Sequence, residues 1–181
     1  MSLGLATQQL DVGDYRLSPL ADADASELLR VFGDPVVVEF MDIDPLTRLA
    51  DALEIIEWAK ELAGRDAGLR WSIRRVGEPG LVGTVGFNQL EFERGRRGEI
   101  AYDLARAEWG MGVMAQVLPR VIEFGFEVLG LRRLEAMVTV GNHRSCKLLE
   151  RQGFVREGVL RQHGFWKGAF WDQMVYGRLA D

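Results

Sequence analysis

A strand pattern followed by a glycine-rich turn and a helix pattern constrains this chain most strongly. Residues 99–104 read EIAYDL, in which apolar and polar side chains alternate as in a half-buried strand. Residues 109–114 read WGMGVM, and the apolar-rich segment after them predicts a helix to about Leu129. Because a glycine inside a helix costs about 1 kcal/mol relative to alanine, Gly110 and Gly112 indicate one of two features. They mark a turn that needs positive φ or a helix N-terminus that binds phosphate.

The remaining patterns predict further strands and helices in an order that defines the fold class. Strands are predicted at residues 15–20, 71–75, 81–91, 134–140, 154–163 and 170–178. Capping signals predict helices at residues 22–32, 44–63 and 142–152, the second of which starts at Asp44-Pro45. Residues 33–44 form a loop or a broken helix, and Pro119 is expected to bend the helix after WGMGVM or to move its start. The order indicates an α/β (α+β) fold, in which helices cover a mixed sheet with a parallel crossover.

The composition limits the classes of function that the chain can have. The 181 residues suit one domain spanning 1–181, and no apolar run approaches the roughly 18 residues of a membrane span. Two histidines and one cysteine leave little for a metal site, and the net charge of −5 favours a cationic or amine partner over nucleic acid. Because there is no secretory pattern and no possible internal disulfide, we expect a cytoplasmic protein with no membrane partner.

A second informative segment is NHRSCKLLERQGF at residues 142–154. Asn142 and Ser145 lie three residues apart at the start of a predicted helix, so one can cap the helix while the other points into the opening beside the glycine turn. A capped surface helix that ends at Gly153 explains the same pattern equally well. The sequence has neither a GxxxxGK[ST] loop nor a GxGxxG motif with its acidic partner, so both common nucleotide-phosphate motifs are excluded.

Taken together, these segments resemble the GNAT superfamily, and most closely its RimJ/RimL branch of the ribosomal-protein-alanine acetyltransferase type. The resemblance rests on WGMGVM, the strand LEAMVTVGN, NHRSCKLLERQGF and the tail LRQHGFWKGAFWDQMVYGRL, and it extends back to RLSPL at Arg16. It implies a GNAT-like mixed, mostly antiparallel twisted sheet of about seven strands, flanked by about four helices, with a splayed central strand pair. It also implies acetyl-CoA as the cofactor and CoA as a product.

The resemblance implies a cofactor site around the glycine turn. Backbone amides between Gly110 and Met114 would hold the pyrophosphate, and Lys147 would face the adenosine phosphates. The implied cofactor-binding residues are Asp103, Leu104, Trp109, Gly110, Met111, Gly112, Val113, Met114, Asn142 and Lys147. Since Met114 stands where the family usually has a small residue, its side chain is expected to crowd the pyrophosphate or the neighbouring strand.

The resemblance also implies that an amine attacks the thioester directly, with Ser145 placed to protonate the leaving thiolate. Gly164 stands where some relatives have a glutamate, so the motif does not assign the base. The candidate bases are Glu99, Asp103, Glu39 and His163, of which Glu99 begins the central strand. We take Glu99 and Ser145 as the catalytic residues.

On the acceptor side, Glu39, Asp42 and Asp44 predict either a solvated loop or an acidic rim that attracts an ammonium group. We assign Glu39 and His163 to acceptor binding.

The resulting hypothesis is an acyltransferase that moves an acetyl group from acetyl-CoA to a primary amine. The acceptor is a protein N-terminus, a polyamine or a small molecule, and the enzyme is a monomer or a homodimer. Two alternatives stay open. One is a GNAT-like CoA-binding or regulatory module with impaired catalysis, which Met114, Pro119 and the missing glutamate favour. The other is a nucleotide-binding regulator unrelated to acetyl transfer.

Overall fold

The computed structural model describes residues 3–180, which form a mixed sheet of eight strands. The strands are β1 (Leu10–Val12), β2 (Tyr15–Pro19), β3 (Leu69–Arg75), β4 (Gly83–Glu91), β5 (Arg97–Leu104), β6 (Arg133–Thr139), β7 (Val155–Trp166) and β8 (Ala169–Leu179). Their order across the sheet is β1-β2-β3-β4-β5-β6-β8-β7. Every neighbouring pair is antiparallel except β5 and β6, which are parallel. The predicted mixed, mostly antiparallel sheet is therefore confirmed.

Four α-helices flank this sheet in the described part of the chain. They are α1 (Ala25–Phe32), α2 (Leu49–Gly64), α3 (Val113–Glu123) and α4 (His143–Arg151), and a π-helical turn at Phe124–Val128 extends α3. Among residues 3–180, no helix combines the length and the apolar content that a bilayer crossing requires.

Alternating side chains of the strands face two different helical layers. Trp71 and Ile73 of β3 are fully buried in the larger core, together with Val117 and Val121 of α3. The next side chain along β3, Arg74, instead forms an ion pair with Glu27 of α1 at 2.8 Å. The sheet thus has an apolar face under α3 and a more polar face toward α1 and α2.

The central strand pair separates shortly after it begins. β5 and β6 are in register only at three pairs of residues, the last of which is Glu99 with Glu135. Beyond this pair, β5 continues to Leu104 beside β4, while β6 continues to Thr139 beside β8. The side of β5 that faces β6 therefore has no strand partner after Glu99 in the part of the chain that the structure describes, so the predicted splay is present.

The structure corrects three predicted details. The sheet has eight strands rather than about seven, because β1 is only three residues long and forms a tight hairpin with β2. The second helix starts at Leu49 and not at Asp44-Pro45, because Asp51 accepts a hydrogen bond from the Arg48 amide at 3.0 Å and caps the helix there. The third helix starts directly after the glycine turn, so Pro119 does not move its start.

Candidate active site

The glycine turn leaves the N-terminus of α3 open. Gly110 and Gly112 both adopt left-handed conformations, with φ of 79° and 76°, so the turn does need positive φ. The first helical hydrogen bond runs from the Gln116 amide to the Gly112 carbonyl at 3.2 Å. The amides of residues 113–115 therefore have no carbonyl partner within the helix, and no side chain among residues 3–180 caps this end. A Cβ at Gly112 would meet no atom of the described residues within 4 Å, so open space adjoins the turn.

This turn is part of the wall of a cleft with a volume of about 1770 Å³. The charged side chains on the wall that form no ion pair within residues 3–180 separate by element, whereas Arg48 and Arg70 are paired with Asp51 and Asp103. The basic residues on α4 are Arg144, Lys147 and Arg151, which recur at a spacing that keeps them on one helical face. The acidic residues whose carboxylates have no hydrogen-bonded partner in residues 3–180 come from β5 and the segment between α1 and the first turns of α2. They are Glu39, Asp42, Asp44, Glu54 and Glu99.

Trp109 and Arg144 join the glycine turn to α4. The Trp109 indole Nε1 donates to the Leu104 carbonyl at 3.0 Å, which fixes the ring beside the end of β5. The Arg144 guanidinium lies 4.3 Å from the centre of this ring, a cation–π contact. The loop and the basic helix face therefore form one continuous wall.

The start of α4 carries the predicted cap and an unpredicted hydroxyl pair. The Asn142 side chain accepts from the Ser145 amide at 3.2 Å, so Asn142 is the cap. The Ser145 hydroxyl is thereby left to contact the Tyr102 hydroxyl, with 2.7 Å between the two oxygens. Burial raises the pKa of Tyr102 well above its usual range, so this phenol keeps its proton at neutral pH.

Glu99 lies at the point where β5 and β6 separate. It is half-buried on the cleft wall, and its carboxylate has no hydrogen-bond or ion-pair partner among residues 3–180. Its pKa is raised, first by burial and then by the negative charges of Glu135 and Asp42, while His163 opposes the shift. A half-buried carboxylate with a raised pKa has the properties of a general base.

Asp103, in contrast, is occupied by a buried ion pair. Its carboxylate accepts from Arg70 Nη2 at 3.1 Å, from the Thr84 hydroxyl at 2.6 Å and from the Thr84 amide at 3.1 Å. Arg70 also donates to the Ala101 carbonyl at 2.8 Å. Burial raises the pKa of Asp103, and the Arg70 charge opposes this shift. Because its oxygens already accept hydrogen bonds from these donors, the surroundings of Asp103 suit a structural role and not that of a general base.

Most of the predicted site residues lie on the cleft wall, and two do not. The wall includes Glu39, Glu99, Asp103, Leu104, Trp109, Gly110, Gly112, Val113, Met114, Asn142, Ser145 and Lys147. Met111 is 65% exposed outside the wall, and its amide bonds to the Glu108 carbonyl at 3.3 Å. His163 lies outside the wall in an exposed bulge of β7.

The crowding expected from Met114 stays a prediction. Its side chain is largely buried in the larger core with Val113 and Val117, and it also contributes to the cleft wall. The sequence interpretation also missed Tyr102, Arg70 and Arg144. Only Arg144 had a local signal, which is its spacing from Lys147 and Arg151 along one helix.

The fold and this cleft define a class of enzyme. The sequence pattern of the acetyltransferase (GNAT) domain matches residues 15–155. The chain belongs to this family: it is an N-acetyltransferase, and its cofactor is acetyl-CoA.

Individual relatives agree with this assignment. The chain is 36% identical over 156 residues to the uncharacterized N-acetyltransferase p20 of Bacillus licheniformis, covering 86% of this chain and 87% of the relative. It is 33% identical over 160 residues to the uncharacterized N-acetyltransferase YoaA of Bacillus subtilis, covering 88% and 90%. Its fold is similar to that of RimL, a ribosomal L7/L12 α-N-protein acetyltransferase solved with coenzyme A (TM-score 0.84, 20% identity, 95% and 98% covered). The predicted resemblance to the GNAT superfamily and its RimJ/RimL branch is confirmed.

A substitution at Gly112 tests whether the glycine turn binds the cofactor. In Gly112→Val, the new side chain would enter the space beside the free amides of α3, so we expect the Kd for CoA to rise at least about tenfold, or about 1.4 kcal/mol. Gly77→Val is the matched control, because Gly77 has a φ of 80° and equally open surroundings but lies outside the cleft wall. Each variant is expected to lose about 1–3 kcal/mol of stability through backbone strain. Calorimetric titration of both with CoA separates strain from contact, and equal CoA affinities would leave Gly112 as a turn residue only.

Proposed function

We propose that this enzyme acetylates a primary amine on a cationic acceptor by direct attack on the thioester, with Glu99 as the base. The main support for this proposal is the separation of β5 and β6 just after Glu99, which places this carboxylate at the opening between the two strands. The opening lies between a wall that is basic on α4 and a wall that is acidic between α1 and α2. An anionic cofactor and a cationic acceptor therefore each have a complementary wall.

The residues at the basic end fit acetyl-CoA. The amides of residues 113–115 lack helical partners and are suited to bind a pyrophosphate, while Arg144 and Lys147 supply positive charge for the adenosine phosphates. The unpaired side of β5 beyond Glu99 offers backbone groups to the pantetheine amides. When bound, acetyl-CoA supplies the acetyl group as an activated thioester.

Two groups of this chain move the protons. Glu99 accepts a proton from the acceptor ammonium, because most of a primary amine is protonated near neutral pH and only the neutral form attacks. The Ser145 hydroxyl donates a proton to the departing thiolate and regains one from the acceptor nitrogen, which loses its second proton as the amide forms. The Tyr102 hydroxyl, whose oxygen lies 2.7 Å from the Ser145 oxygen, keeps its own proton and orients the serine.

The class of acceptor follows from the negative charge of the acidic wall between α1 and α2. Glu39, Asp42, Asp44 and Glu54 carry no compensating ion pair in residues 3–180, so a cation gains attraction here that a neutral amine does not. Protein N-termini belong to this class, and RimL acts on one. Polyamines also belong to it.

The test is an acetylation assay with three amines of different size and charge. The probes are a C-terminally amidated hexapeptide with a free N-terminal alanine, spermidine and benzylamine, and mass spectrometry detects the acetylated product. We expect transfer to the hexapeptide or to spermidine, with kcat/KM that falls as salt rises, because exposed charges are screened. All three amines are protonated to a large extent near neutral pH, so a kcat/KM that does not depend on salt for any of them would contradict the cationic acceptor.

A further inference from the structure

The segment that connects α1 to α2 has no regular helix and borders the acceptor end of the cleft. We name residues 33–48 the acceptor strap. Its apolar residue Val38 is fully buried in the smaller core between α1 and α2. Its acidic residues Glu39, Asp42 and Asp44 lie on the cleft wall. The position of the strap therefore determines where three of the unpaired carboxylates of the cleft lie.

Lys167 holds this strap from the tip of the β7–β8 hairpin. Its ammonium Nζ donates to the backbone carbonyls of Val38 at 2.5 Å, of Met41 at 3.1 Å and of Glu39 at 3.2 Å. These bonds use all three donors of the ammonium group. A second tether comes from the end of β6, where the Thr139 hydroxyl donates to the Phe40 carbonyl at 2.9 Å. Four consecutive residues of the strap are thus bonded to the sheet.

The hairpin adopts a conformation that does not favour lysine at this position. Lys167 and Gly168 alone connect the paired residues Trp166 and Ala169, and both have positive φ, of 51° and 72°. A two-residue turn of this kind favours asparagine followed by glycine, because residues with a larger side chain rarely adopt positive φ. The turn itself therefore gives no reason for lysine here, whereas the three carbonyl bonds do.

We propose that Lys167 is a positioning residue for the acceptor: it holds the strap so that Glu39 and Asp42 face the cleft. This inference rests on the proposed function, because it takes the acidic wall as the acceptor end. Lys167 acts through the strap and is itself absent from the cleft wall. Its loss is expected to weaken acceptor binding without changing cofactor binding or the chemical step.

The variant Lys167→Asn separates this role from a role in folding. Asparagine suits the turn but is too short to reach the three carbonyls. The turn is therefore expected to form normally, and the Tm of the protein is expected to stay the same or to rise. We expect faster hydrogen exchange of the strap amides, because local opening becomes easier. For whichever of the three amine probes the wild-type enzyme acetylates, KM is expected to rise roughly tenfold, while kcat and the KM for acetyl-CoA change less than about twofold.

Lys60→Met is the matched control. It also removes a lysine contact, the 2.5 Å ion pair with Asp22, but it lies outside the cleft wall. This variant is expected to leave strap exchange and acceptor KM unchanged. Unchanged strap exchange or unchanged acceptor KM in Lys167→Asn would overturn the role of Lys167 while leaving the proposed function in place. A wild-type enzyme that acetylates none of the three amines would instead overturn the proposed function, and this inference with it.

Discussion

Glu99→Gln is expected to lower kcat by roughly 100- to 10,000-fold, the usual contribution of a general base. The amide keeps the size of the side chain but cannot accept the proton of the acceptor ammonium. Because Glu99 precedes the unpaired part of β5, the Kd for acetyl-CoA should stay within about twofold. Initial rates of thiol release and calorimetric titration with acetyl-CoA measure the two effects separately.

The pH dependence gives an independent test of the same residue. Glu99 must be ionised to act as the base, so the rate should fall as the pH decreases through its pKa, which burial raises from the ordinary value of a glutamate. Glu135→Gln is the matched variant, since it removes a neighbouring negative charge that raises this pKa. Activity should persist in Glu135→Gln, and the acidic limb of its rate profile should move to lower pH. A limb that stays in place, or a Glu99→Gln enzyme with full activity, would show that another group is the base.

Asp103→Leu is expected to cost about 3–5 kcal/mol of unfolding free energy, because it leaves the Arg70 guanidinium buried without its counter-charge. Both side chains are less than a tenth exposed, and Arg70 Nη2 lies 3.1 Å from the carboxylate. Urea denaturation of the purified variant measures the loss.

The double variant Arg70→Met with Asp103→Leu should recover most of this stability. Replacing both members of a buried pair with apolar groups is often close to neutral. Thr84 and Asn88, which also bind Arg70, would then be left near apolar side chains, so recovery is expected to be incomplete. A double variant as unstable as Asp103→Leu would show that the carboxylate acts mainly through Thr84, and not through the ion pair.

Local signals in the sequence predicted the turns and caps of the site. The positive φ of Gly112 and the cap at Asn142 depend on a few neighbouring residues, so each is visible in a short segment. Most strands were also predicted correctly, because the alternation of apolar and polar residues indicates which face of a strand is buried. The splay was implied by the family resemblance, since it arises from how two distant strands diverge.

The sequence alone did not predict interactions between residues that are distant along the chain. Arg70 reaches Asp103 across β4 because β3, β4 and β5 are in register, with Arg70 opposite Gly86 and Gly86 opposite Ala101. Asp44-Pro45 is a strong local start signal, but Ile43 and Leu46 pack against the smaller core, and the helix begins four residues after Pro45 at the Asp51 cap. Lys167 had no local signal for its partners, which lie more than 120 residues earlier in the chain.

We propose that one cleft binds acetyl-CoA at its basic wall and delivers the acetyl group to an amine at its acidic wall through Glu99. The most direct measurement is mass spectrometry of the hexapeptide, spermidine and benzylamine after incubation with acetyl-CoA and either wild-type enzyme or Glu99→Gln. We expect the wild-type enzyme to add one acetyl group to the hexapeptide or spermidine, and Glu99→Gln to lose this transfer while it still binds acetyl-CoA. Acetyl-CoA binding without acetylation of any of the three amines by the wild-type enzyme would contradict the account.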